Sequence, residues 1–339
     1  MTGNKQKIAV IGAGSWGTAL AMVLASKGHK VSLWGHDSRH LDTIRAEGEN
    51  RRYLQGCPLS ADIVPINDLD EAVTGCKVVC MVIPSHGFRT TYEKLIYQLQ
   101  DGAWVVSATK GIENDSLMTM TQVMEDVRSR LTPEKKIEVA VLSGPSFARE
   151  VAEKIPTAVT IGCRDLTVAK MLQKLFVTET FRVYSGCDIT GLEISAALKN
   201  IVAIAAGICD GLGYGLNTRA ALITRGLAEI TRLGIAMQAE PATFSGLSGL
   251  GDLVLTCTGN LSRNRSVGLK LGQGKKLDDI IEEMDMVAEG VKTTRSGYQL
   301  AEKMGIEMPI LQQVYAVLYE GKKCSDAVRD LLMRELKVE

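Results

Sequence analysis

The sequence predicts an α/β region built on a doubly wound parallel sheet, followed by an all-α region. Three observations carry this expectation. Short apolar, strand-like runs alternate with helical patterns up to about Tyr184. Such runs nearly vanish after that point, and long patterns of 3.6-residue period continue to the end. Strands alternating with helices imply a parallel sheet covered on both faces. The boundary falls near residue 189, which gives domains 1–189 and 190–339. A length of 339 residues with 45% hydrophobic content is enough for two cores.

The elements follow in order. KIAVIGAG (7–14) is an apolar run closed by glycine, hence a strand. WGTALAMVLASKGH (16–29) has helical periodicity and stops at Gly28. KVSLWGH (30–36) alternates and reads as a second strand. KVVCMVIP, AWVVSATKG, EVAVLSG and PTAVTIG read as further buried strands, with helices expected near 39–47, 86–99, 116–130 and 166–176. In the second region helices are expected near 188–209, 217–233, 275–285, 290–304, 310–319 and 325–335. Glycine-rich connectors, DGLGYGLN (210–217) and FSGLSGLGDL (244–253), join some of them. No internal repeat or low-complexity tract is visible.

Composition excludes several function classes. Basic and acidic residues number 39 each, so the basic excess of a nucleic-acid binder is absent. No run of 18 apolar residues occurs, and no membrane span is expected. The start, MTGNKQKIAVIGAGS, lacks the regions of a secretory leader, and a cytoplasmic protein is expected. Eight cysteines are scattered without a C-x-x-C pair and read as reduced thiols rather than disulfides or zinc ligands. The four histidines all lie at or before His86, so no metal site is expected, and histidine from the second region cannot serve as its acid or base.

Gly12-Ala13-Gly14-Ser15-Trp16-Gly17 matches G-x-G-x-x-G after a strand and at the start of a helix. In that context it predicts a dinucleotide site. Gly12 permits the tight turn, Gly14 lets backbone approach a pyrophosphate, and Gly17 lets helix and strand pack closely. The free N–H groups at the helix start then hold the phosphates. An NAD-specific site carries an acid at the end of the second strand, where this chain has Leu33-Trp34-Gly35-His36-Asp37. Gly35 stands at the expected place, which favours NADP, or use of both cofactors, over strict NAD. His36 either bonds a 2′-phosphate or is a plain loop residue. A two-residue change of register would make Asp37 the missing acid.

ISAALKNIVAIAAGI (194–208) carries one charge, Lys199, inside an apolar helix. A buried lysine is either an ion-pair partner, a stem reaching for the surface, or an acid–base group with a lowered pKa. Hydride chemistry at a dinucleotide site requires the protein to supply a proton, and lysine can do so. Asp252, after a glycine-rich stretch, could meet a cation inside, and it is expected to hold Lys199 in place. Ser262, Arg263, Asn264 and Arg265 concentrate donors at a helix start. That cluster reads either as a phosphate site or as an N-cap followed by surface charges. Arg225 and Glu229 form an i, i+4 pair and read as structural. Lys110 follows a buried strand at the edge where ligands bind in open α/β sheets.

Together GAGSWGTALA, ATKGI, LSGPSFAREV, ALKNIVAIAAG, TRAALITRGLAE, GLGDLVLTC, SRNR and VAEG closely resemble the bacterial NAD(P)-dependent sn-glycerol-3-phosphate dehydrogenase family across nearly the whole chain. The resemblance implies a Rossmann-like first domain and a helical second domain of the 6-phosphogluconate-dehydrogenase-like kind. It implies reduction of dihydroxyacetone phosphate with NADPH or NADH, in the service of phospholipid synthesis, by a homodimer. It places Lys199 on the acid–base lysine, with Lys110 beside it. Lys110, Gly144, Ser146, Asp252, Ser262, Arg263 and Asn264 fall on substrate-binding positions. Ser15, Trp16, His36, Lys110, Ala148, Arg263, Val287 and Glu289 fall on cofactor positions. Ser146 stands where many relatives have threonine, Trp16 where some have tyrosine or phenylalanine, and His36 where some have arginine. Two other readings compete: a β-hydroxyacid dehydrogenase, which would not need SRNR, and a non-catalytic NAD(P)H sensor, which would not need Lys199 and Asp252.

Overall fold

The computed structural model describes residues 5–284 and 288–336. It divides into two units. The first comprises Met1–Thr109 and Met120–Ile189, and the second Lys110–Thr119 and Thr190–Glu339.

The first unit is a Rossmann-like α/β layer structure. Its eight strands are β1 (Lys7–Ile11), β2 (Lys30–Trp34), β3 (Ile63–Ile66), β4 (Val78–Met81), β5 (Ala103–Ser107), β6 (Ile137–Ser143), β7 (Thr157–Cys163) and β8 (Phe181–Gly186). They lie in the order β3-β2-β1-β4-β5-β6-β7-β8. The central strand β4 is apolar and buried along its whole length because helices cover both faces of the sheet. The strand order reverses beside β1, so the turn after β1 opens at the switch point where open α/β sheets bind ligands.

The sheet departs from the expected all-parallel form at one pair, since β6 and β7 run antiparallel. The connection between them carries only the five-residue helix Ala148–Ala152. At ~1.5 Å per residue that helix is too short to carry the chain back along a seven-residue strand. Two strands were not anticipated. β3 has four residues, includes Pro65, and lies at one edge, where proline is tolerated. β8, at the other edge, alternates buried Phe181 and Val183 with exposed Arg182 and Tyr184.

The second unit is helical. Its central helix, Ile189–Gly211, is long and apolar enough to cross a membrane by length and composition, with a mean hydropathy of 1.6, although Glu193, Lys199 and Asn200 interrupt its apolar run. That window is entirely buried within the protein, so the apolar length serves as core. The helix Arg263–Gly272 meets it backbone to backbone. A Cβ on Gly207 would lie 2.0 Å from the Arg265 carbonyl oxygen, and one on Gly268 would lie 2.0 Å from that of Ile204. Gly211 and Gly272 repeat the contact one turn along. The stretch 244–253, expected as a connector, is instead a short helix (Pro241–Phe244), an i→i+5 turn (Leu247–Gly251) and a further helix, Asp252–Thr258.

Segment 110–119 lies between β5 and the helix Met120–Leu131, yet it belongs with the helices. Ile112 is buried in the second unit's core, and its carbonyl accepts a bond of 3.1 Å from the Ser296 hydroxyl. All eight cysteines are free thiols, and six of them are buried.

Candidate functional site

In the first unit the glycine-rich turn leads from β1 into the helix Ser15–Ser26. Gly12 has φ +129°, and a Cβ there would lie 2.1 Å from the Val82 carbonyl oxygen. Gly17 packs its Cα side against the Gly12 carbonyl, where a Cβ would come within 1.8 Å. Gly14 differs, because a Cβ there would meet nothing within 4 Å. Its missing side chain leaves space on the outer side of the turn.

The helix start carries no side-chain cap and no acidic residue in its first turn. Its leading N–H groups, including those of Ser15 and Trp16, therefore retain the positive potential that favours an anion. The indole Nε1 of Trp16 is buried without a hydrogen-bond partner among the described residues. Open space at Gly14, an uncapped helix start and an orphaned donor together fit a pyrophosphate-bearing cofactor.

His36 is exposed just beyond β2. Gly35 packs against Ala13, with 3.1 Å from a built Cβ to the Ala13 Cβ. Asp37 is engaged elsewhere. One of its oxygens caps the helix Ser38–Glu47 by accepting from the His40 N–H at 3.2 Å, and the other faces Arg52 at 3.5 Å. The acid is thus partnered within the protein. Asn50, unforeseen from the sequence, is fully buried and donates to the Ala13 carbonyl at 2.9 Å. Farther along the sheet, Gly144 follows β6 with φ +139°. The Ser146 hydroxyl donates to the Gly144 carbonyl at 3.0 Å, and Ala148 opens the next helix.

In the second unit Lys199 is buried, with 5% of its surface exposed. Its Nζ donates to Asp252 Oδ1 at 2.7 Å and to the Thr256 hydroxyl at 2.6 Å. Lys110 Nζ donates to the other Asp252 oxygen at 2.8 Å. Asp252, 1% exposed, is therefore a bridge between two cations. Thr256 passes its own proton to the Asp252 backbone carbonyl at 2.6 Å, which turns a lone pair toward Lys199. Burial lowers the Lys199 pKa to about 8; the Asp252 charge opposes the shift, and the Lys110 charge adds to it. An ammonium that exchanges its proton near neutral pH is what acid–base work requires. Thr256 was not anticipated, although as i+4 from Asp252 it would have followed had 252–258 been read as a helix.

Ser262 caps the helix Arg263–Gly272, accepting from the Arg265 N–H at 3.2 Å. Asn264 is buried, and its Oδ1 accepts from the Gly290 N–H at 2.9 Å. Arg263 is exposed at its surface, yet neighbouring protein removes enough water to lower its pKa, against the pull of Glu289. Arg265, the fourth member of SRNR, is held by Asp210 at 2.8 Å and by Asn260 at 3.1 Å. Its charge is thereby matched inside the protein. Glu289 opens the helix Glu289–Met304. Val287 lies outside the described residues.

Glu229, read from the sequence as a structural i, i+4 partner of Arg225, is buried and accepts from the N–H groups of Ile310 and Leu311 at 2.8 and 3.3 Å. It caps the helix Pro309–Tyr319 from another element, so its role is structural.

Comparison with known proteins follows the same division. Residues 7–169 match the family described as NAD-dependent glycerol-3-phosphate dehydrogenase N-terminus, and residues 188–329 match its C-terminus. A protein of Desulfotalea psychrophila named glycerol-3-phosphate dehydrogenase [NAD(P)+] is 58% identical over the full length of both chains. One of the same name from Citrifermentans bemidjiense is 54% identical over 98% of this chain and 99% of its own. The crystal structure of glycerol-3-phosphate dehydrogenase from Coxiella burnetii is 41% identical, with a TM-score of 0.93, covering 97% of this chain and 99% of that one.

Proposed function

The chain belongs to the NAD-dependent glycerol-3-phosphate dehydrogenase family, and from that premise we propose that Lys199 is its acid–base group, held in working position by Asp252 and Thr256. As a member of the family it is an oxidoreductase that interconverts dihydroxyacetone phosphate and sn-glycerol 3-phosphate with NAD or NADP. The observation that carries the residue assignment is a buried lysine with a pKa lowered to about 8 whose partners leave one donor over. An ammonium has three N–H donors. Asp252 and Thr256 take two, and the third is available to a substrate oxygen.

Held through its pyrophosphate at the glycine turn, a reduced nicotinamide cofactor would supply a hydride to C2 of dihydroxyacetone phosphate, leaving negative charge on the former carbonyl oxygen. Lys199 Nζ gives a proton to that oxygen and becomes a neutral amine. In the reverse direction the neutral amine accepts the alcohol proton. Asp252 keeps its negative charge in both directions and stabilises the ammonium. Lys110 adds positive potential where the oxygen becomes negative.

Ser262, Arg263 and Asn264 are assigned to the substrate phosphate, with Gly144 and Ser146 as further substrate contacts. A guanidinium matches phosphate geometry well, which suits Arg263 to the role. Gly12, Gly14, Ser15, Trp16, Gly17, His36 and Ala148 are assigned to the cofactor, as are Lys110, Arg263 and Glu289. The first domain, 1–189, would bind cofactor, and the second, 190–339, would carry the chemistry. NADPH is the expected preference, because Gly35 leaves no carboxylate and Asp37 is already paired. A cytoplasmic homodimer supplying the backbone of phospholipids completes the reading.

An absorbance assay at the NADPH band tests it. Dihydroxyacetone phosphate should drive oxidation, and a small oxo-acid should not. Turnover of the oxo-acid instead would favour a β-hydroxyacid dehydrogenase, and binding without turnover would favour a sensor.

A further inference from the structure

We infer that Asn50 is a positioning residue for the cofactor-binding turn. The inference rests on the reading that the glycine turn holds the pyrophosphate. Asn50 is far from that turn in sequence and fully buried. Its Nδ2 donates to the Ala13 carbonyl at 2.9 Å and to the Thr18 hydroxyl at 2.7 Å. Its Oδ1 accepts from the Tyr53 N–H at 3.4 Å, capping the short helix Arg51–Leu54. The amide orientation follows from these partners, because a carbonyl can only accept and a backbone N–H can only donate.

Ala13 is the residue between the first two glycines, so its carbonyl belongs to the peptide that joins it to Gly14. With open space beyond Gly14, that peptide has room to rotate. Rotated outward, the Ala13 oxygen would present negative charge to an arriving phosphate. Asn50 holds the oxygen inward and leaves the helix N–H groups alone on the outer face. Thr18 completes the device from two sides. Its N–H closes the first helical bond to the Gly14 carbonyl at 2.9 Å, and its hydroxyl anchors Asn50.

Asn50→Asp preserves size but cannot donate to the Ala13 carbonyl. The dissociation constant for NADPH, read by nicotinamide fluorescence and by the NADPH-dependent rise in Tm, should increase about ten-fold or more, as for a buried acceptor left unpaired. kcat at saturating cofactor and KM for dihydroxyacetone phosphate should stay unchanged. A folded Asn50→Asp protein that binds NADPH like wild type overturns the inference. If that variant does not fold, Thr18→Val decides. It should weaken NADPH binding, with Thr18→Ser restoring it, and unchanged binding in Thr18→Val overturns the inference. Gly14→Val separates this from the underlying reading, since its side chain meets no protein atom near Cβ yet fills the space assigned to the pyrophosphate. Weak binding in Gly14→Val with normal binding in the Asn50 and Thr18 variants rejects only Asn50. Normal binding in Gly14→Val rejects the cofactor turn itself.

Discussion

Lys110 and Lys199 hold opposite oxygens of one buried carboxylate, Asp252, at 2.8 and 2.7 Å. One negative charge thus serves two ammonium groups, while burial, the largest effect, sets the downward direction of the Lys199 shift. Desolvation disfavours its charged form, Asp252 recovers part of that cost, and Lys110 reduces the recovery.

Removing the Lys199 charge is the direct test of its role. Lys199→Met keeps the apolar stem, and NADPH should bind with an unchanged dissociation constant because the glycine turn is in the other unit. Turnover should fall by at least the ~10²–10⁴ associated with one general acid. Lys199→Arg should not restore it, because a guanidinium remains protonated near neutral pH. Near-normal kcat in Lys199→Met would make the lysine a structural partner of Asp252.

The lowered pKa sets the pH dependence. Reduction of dihydroxyacetone phosphate needs the ammonium, so kcat/KM should decline as pH rises through about 8. Oxidation of glycerol 3-phosphate needs the neutral amine and should rise through the same range. Lys110→Met removes a neighbouring positive charge and should move both inflections to higher pH. Profiles of both directions in the two proteins check this, and an inflection that moves down would contradict the arrangement.

Arg263→Ala should raise KM for dihydroxyacetone phosphate strongly, since truncating a desolvated, charge-assisted contact costs about 2–5 kcal/mol. The variant should also distinguish poorly between that substrate and unphosphorylated dihydroxyacetone. Cofactor KM must be measured in parallel because Glu289 and Arg263 interact. An unchanged substrate KM would return Arg263 to an ordinary surface charge.

Gly35→Asp should move preference from NADPH toward NADH. The new carboxylate would face a 2′-phosphate, and like charges placed together cost several kcal/mol. The Ala13 methyl must yield slightly, since it lies 3.1 Å from the new Cβ. The ratio of kcat/KM values for the two cofactors checks it. A ratio that does not move would show that the end of β2 does not read the ribose.

Glu229 gives a stability prediction independent of catalysis. Burial raises its pKa to about 7, against the two N–H groups of Ile310 and Leu311, which pull it down. The native state therefore binds more protons than the unfolded chain between about pH 4.5 and 7. Over that window this group's contribution to stability should fall as pH rises, by at most roughly 3 kcal/mol. Urea unfolding of wild type and Glu229→Gln at pH 5 and pH 7 should show a smaller pH difference in the variant from this group. Equal slopes would indicate that the carboxyl titrates normally.

Periodicity and the glycine turn carried most of the fold, because both are local properties of the chain. β3 escaped because it is four residues long and contains Pro65, and β8 because its apolar residues alternate with exposed ones. The antiparallel β7 escaped because direction depends on how far a connection can reach. In the site, Lys199, Lys110 and Asp252 were legible as isolated oddities of charge. The pairing of Lys199 with Asp252 followed from an acid and a cation both set in apolar surroundings, whereas the arrival of Lys110 did not, since it depends on segment 110–119 joining the helices. Thr256 and Asn50 carry no unusual signature, and only their hydrogen bonds give them a role. Arg265 had the signature of a ligand-binding cation and proved to be a partner of Asp210.

The glycine contact between the helices Ile189–Gly211 and Arg263–Gly272 bears on how this enzyme can diverge. One helix carries Lys199 and the other begins at Arg263, and no side chain separates their backbones at Gly207, Gly211, Gly268 and Gly272. A substitution at any of these positions can only push the helices apart; none can draw them closer. The span between the proposed proton donor and the arginine assigned to the phosphate is thus already at its minimum, like a gauge block. Adaptation to a longer phosphorylated substrate could proceed by inserting a methyl group there, whereas adaptation to a shorter one would have to come from the loops around the site.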